Sequence, residues 1–140
     1  MDDNYSGLNV RTAIKPVAIG TTGTGQTGKV IDRKGYLGPV LFALSYGEIT
    51  ATNAVYTVTV KEGDVTGALT SVADIDLIGT EAAASPGTGA RTSGATKNVT
   101  KKVAYKGGKR YCQVSVKSTV TAATVVSAIA TQQAASKPAS

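Results

Sequence analysis

Apolar and polar residues alternate with a period of two along much of this chain, the pattern of strands that bury one face only. Residues 53–62 place Tyr56, Val58 and Val60 on one side and Thr57, Thr59 and Lys61 on the other. Residues 109–116 set Cys112, Val114 and Val116 against Tyr111, Gln113 and Ser115. With a second β-prone run at 98–105 and Gly107-Gly108 between the two, the stretch 97–117 reads as a β-hairpin whose glycines supply positive φ in a tight turn. In 40–46, Val40, Phe42, Leu44 and Tyr46 share a face, but Leu41 and Ala43 leave the reverse face apolar as well. That strand is expected at the centre of the core, covered on both sides.

Further strands are expected at 9–19, where Pro16 suits an edge, and at 29–32, 69–73 and 122–131, the last Ala-rich enough for a short helix to compete. Residues 74–79 hold Ile75, Leu77 and Ile78 in an acidic, irregular setting. The Gly/Thr-rich 20–28, the turn 33–39 and the Gly/Pro-bearing 81–96 read as loops, the last exposed and flexible. Together the elements predict one all-β domain at 9–131, an antiparallel β-sandwich or jelly-roll-like fold of about seven or eight strands. A polar N-terminal arm, 1–8, precedes it and a polar C-terminal tail, 132–140, follows.

Composition sharpens this picture. At 140 residues the chain suits one domain, and its 41% hydrophobic content rests on small and β-branched residues, with no Trp and one Phe. One cysteine excludes an intrachain disulfide, and the place of Cys112 beside Val114 and Val116 makes it a core residue. No apolar run is long enough to span a bilayer, and residues 1–10 lack the basic and apolar regions of a signal peptide, so a cytoplasmic site of synthesis is expected.

The net charge of +6 is unevenly laid out: all nine acids lie at or before Glu81, and nine basic residues follow it. Lys97, Lys101, Lys102, Lys106, Lys109 and Arg110 are the candidate docking residues for an acidic partner surface. The competing reading is a solvated face that keeps the chain soluble. Nucleic acid is the weaker partner, because only Tyr105 and Tyr111 accompany these charges and the pattern is that of strands.

Catalytic chemistry finds little purchase. Gly23 to Lys29 matches the G-x4-G-K core of a phosphate-binding loop, but Val30 stands where Ser or Thr must reach the metal, and strand rather than helix follows. Histidine is absent, which removes the commonest general base and transition-metal ligand. Asp74 and Asp76 lack the spacing of a calcium loop, and Asn98-Val99-Thr100 is a sequon without a secretory signal. No catalytic residue, cofactor or metal is expected.

The order of elements resembles that of small β-sandwich head decoration, or cement, proteins of tailed bacteriophages. The resemblance lies in residues 30–36 (VIDRKGY) leading into 40–44, in 56–64 (YTVTVKEGD), 72–74 and 76–79, and in 103–111 (VAYKGGKRY). It covers about 29–120 and does not extend to the first strand or to 20–28. It implies a non-enzymatic virion structural protein, assembled in the host cytoplasm, that binds the major capsid protein on the capsid exterior and stabilises the shell. Self-association, as a trimer, is implied by the same analogy. A different structural role is the base of a head fibre or a tail-associated adhesin module, with Tyr36, Tyr46 and Tyr111 contacting host-surface glycan.

Overall fold

The computed structural model describes residues 8–18, 26–34, 36–49, 55–86, 98–120 and 124–134. Ten strands lie in them: β1 (Leu8–Ala18), β2 (Gln26–Thr27), β3 (Ile31–Asp32), β4 (Tyr36–Tyr46), β5 (Tyr56–Gly63), β6 (Thr70–Ser71), β7 (Leu77–Ile78), β8 (Val99–Tyr105), β9 (Tyr111–Ser118) and β10 (Val125–Ala134). Every pairing is antiparallel. One sheet runs β1-β10-β4-β8-β7, and the other β2-β9-β5-β6 with β3 also on β9. The all-β antiparallel sandwich read from the alternation is what forms. Six strands are long, and the four of two residues raise the number above the seven or eight expected.

The core lies between the sheets. Val40, Phe42, Leu44 and Tyr46 of β4 meet Tyr56, Val58 and Val60 of β5, with Cys112, Val114 and Val116 of β9 and Val126, Ala128 and Ala130 of β10 completing it. Burying a side chain such as Phe42 or Leu44 contributes about 1.5–3 kcal/mol. β4 is the middle strand of its sheet. Its reverse face differs from expectation: Leu41 and Ala43 are half-buried and Ile129, paired with Ala43, is exposed, so among the described residues no second layer covers this face.

Near its start β4 is irregular. Leu41 pairs with Thr131 but Leu37 with Gln133, so β4 spends more residues than β10 over this step. Gly38, at φ 72°, and Pro39, which has no N–H to leave unpaired, make the bulge. β1 is an edge strand, as Pro16 predicted, with register breaks at 12–14 and 14–17. β10 runs to Ala134, so Gln132, assigned above to the tail, is a buried strand residue.

The stretch 97–117 is not a hairpin. β8 pairs with β4 and β7, whereas β9 pairs with β5, β2 and β3. Residues 106–110 therefore arch from one sheet to the other, and the inward faces of β8 and β9 look at each other across the core. Neither Gly107 nor Gly108 takes positive φ. Gly107 is needed for space, since a Cβ there would lie 2.5 Å from the Tyr105 hydroxyl.

Two other loops are more ordered than their composition predicts. Gln26-Thr27 pairs with β9, Gly28 N–H donates to the Val114 carbonyl at 2.9 Å, and Lys29 N–H donates to the Ala13 carbonyl at 2.7 Å. This segment thus joins the edges of both sheets, and a Cβ on Gly28 would collide with the Val114 oxygen at 2.3 Å. Strand and turn follow Lys29, as the rejection of a phosphate-binding loop requires. In the predicted flexible stretch, Ala84 is fully buried, its carbonyl accepts from the Tyr46 hydroxyl at 2.8 Å, and Glu81 Oε2 accepts from Val60 N–H at 2.6 Å. Residues 87–97 lie outside the described residues.

Candidate interaction surface

The five candidate docking residues that the structure describes do not form one patch. Lys97 lies outside the described residues. On β8, Lys101 pairs with Leu44 and is half-buried, while Lys102, one residue on, points to the opposite face and pairs with Ala43. Lys106 opens the arch, its N–H donating to the Asp76 carbonyl at 2.8 Å, and its side chain is exposed. None of these three makes an ion pair among the described residues.

Lys109 and Arg110 are placed differently, because acids from the first half of the chain meet them. Arg110 Nε and Nη2 donate to the two oxygens of Asp32, both at 3.0 Å, a bidentate pair. Lys109 Nζ donates to Asp64 Oδ2 at 3.3 Å, and Arg110 N–H donates to Asp64 Oδ1 at 3.3 Å. The charge asymmetry along the sequence is partly cancelled in space. The Arg110 guanidinium and the Lys34 N–H hold the Asp32 carboxyl at about 2, and the Arg110 N–H and Lys109 ammonium lower that of Asp64.

Arg33, assigned above only to a turn, fixes the arch. Its Nη1 donates to the carbonyls of Gly107 at 2.6 Å and Lys109 at 2.7 Å, and its guanidinium lies 4.8 Å from the Tyr105 ring centroid. Beneath it the Tyr105 hydroxyl donates to Glu62 Oε1 at 2.5 Å and accepts from Lys109 N–H at 3.0 Å. Burial, helped by the bond to Glu62, pushes the Tyr105 hydroxyl up to about 12. No local signal marks Arg33, since its partners are 74 and 76 residues away.

These groups wall a solvent-open cleft of about 340 Å³ formed by Arg33, Lys34, Tyr36, Asp64, Lys109 and Arg110. Of the three tyrosines considered for glycan contact, Tyr46 is 1% exposed and cannot reach a ligand. Tyr36 and Tyr111 are half-buried, with Arg11 and Arg110 at 5.8 and 4.9 Å from their ring centroids. Cys112 is fully buried, and desolvation raises its thiol to about 12. Among the described residues no three His, Cys, Asp or Glu side chains gather as a metal site. No protein-family model matches the chain, and comparison with curated proteins gives no match.

Proposed function

We propose that this chain is a non-enzymatic virion structural protein that decorates the outer surface of a tailed-phage capsid and stabilises it. The observation that carries the reading is the cross-linked arch: a rigid sandwich presents cations of its second half at one end, held by Arg33 and by the Asp32 and Asp64 pairs. A surface fixed before binding loses little entropy on docking. The order of elements that resembles head decoration proteins supplies the shell as the surface, with the major capsid protein as partner. Many bound copies stabilise a lattice by mass action.

The test is occupancy of undecorated shells, counted by electron microscopy after incubation with the purified chain. Lys106→Glu is the informative reversal, since its side chain is exposed at the start of the arch, whereas Lys101 lies half-buried on the inward face of β8 and Lys109 and Arg110 hold the arch, so that their loss would confound docking with folding. Occupancy should fall in that variant, and fall for the unaltered chain as salt is raised from about 0.05 to about 0.5 M. Shells left bare by the unaltered chain would sink the reading. The glycan-binding alternative has lost Tyr46 as a contact residue.

A further inference from the structure

We infer that the cleft at the arch binds a carboxylate presented by an acidic segment of a partner protein. This deepens the shell reading, and rests on it, by naming where the chain is gripped. The cleft is lined by four cations, Arg33, Lys34, Lys109 and Arg110, and one carboxylate, Asp64, with Asp32 paired to Arg110 and Arg11 beside the Tyr36 ring, so positive charge is in excess. Glu62 lies one layer behind, engaged by the Tyr105 hydroxyl.

Two of the cations are met by no carboxylate among the described residues. The Arg33 guanidinium is spent on the carbonyls of Gly107, Lys109 and Gly38, which orient it but leave its charge. Lys34 is exposed, and the bond to Asp32 is made by its backbone N–H, so its ammonium is left to solvent. Asp32 engages Arg110 at Nε and Nη2, and a guanidinium carries five N–H donors, so donors remain for a second acceptor. Lys109 likewise has three donors and gives one to Asp64. The chemistry is that of a charge-assisted bond to an oxyanion, with the phenol of Tyr36 in the wall.

A carboxylate suits this cleft better than a nucleic-acid backbone. Repeated phosphates need a continuous positive track, and here Asp32 and Asp64 interrupt it.

The experiment is a titration of the ¹⁵N-labelled full chain at low salt with hexaglutamate and, separately, with a thymidine hexanucleotide. Hexaglutamate should shift the amides of Lys34, Tyr36, Gly108, Lys109 and Arg110, the shifts should fade with added salt, and Lys34→Glu should weaken binding about tenfold. Absent shifts, shifts centred on Lys101 and Lys102, or equal binding of the oligonucleotide would each overturn the inference. Hexaglutamate binding without shell occupancy would remove the shell reading and keep the site. Full shell occupancy by Lys34→Glu would remove the site as the grip and keep the shell.

Discussion

Tyr105 is the residue on which the two sheets converge: its ring lies under Arg33, its hydroxyl reaches Glu62 of β5, and Gly107 passes so close that any Cβ would collide with it. Two substitutions separate these contributions. Tyr105→Phe keeps the ring and strands the Lys109 N–H and the Glu62 carboxylate, which should cost about 1–3 kcal/mol in urea unfolding. Gly107→Ala should cost a comparable ~1–3 kcal/mol by overpacking. Gly108→Ala is the control, because a Cβ there meets nothing within 4 Å, and its urea midpoint should stay close to that of the parent chain.

At the scale of elements, the arch carries a signature in acid. Asp32 is held at about 2 against an ordinary 3.8, so the folded state binds fewer protons than the unfolded chain between these values. Its contribution is therefore complete above about pH 4 and lost as pH falls towards 2. Asp32→Asn should flatten that part of the stability curve, measured by thermal unfolding between pH 2 and 5. A slope unchanged by the substitution would show that the Arg110 pair does not couple to folding.

The same element shows what alternation can and cannot tell. The inward set Cys112, Val114 and Val116 is legible from period two and is buried as read, whereas Val103, Ala104 and Tyr105 are all buried at the end of β8, where alternation marks no face. Whether two such strands pair or arch is not legible, because each strand has the same pattern in either case. The runs read as 98–105 and 109–116 left three residues between them, a length a hairpin accommodates, whereas the strands themselves leave five, 106–110. Gly107 misled for a physical reason: glycine serves close approach as well as positive φ, and only the Tyr105 ring shows which. The cleft was half legible, since Lys109 and Arg110 stood out as charges whereas Arg33, Lys34 and Asp64 join them only through the fold.

For the whole molecule, connectivity decides the order in which the structure can be completed. The first sheet has β10 between β1 and β4, so residues 125–134 fill an interior position flanked on both sides by strands from the first third of the chain. During translation, β1 and β4 must wait with hydrogen-bonding edges turned towards a strand not yet made. Ribosome-bound chains arrested before residue 125 leaves the exit tunnel should be digested by a low dose of protease, and those with residue 134 outside should resist it. β10 is thus a timer: β1 and β4 stay open to chaperones and to mispairing with other copies until residues 125–134 have emerged to fill the place between them.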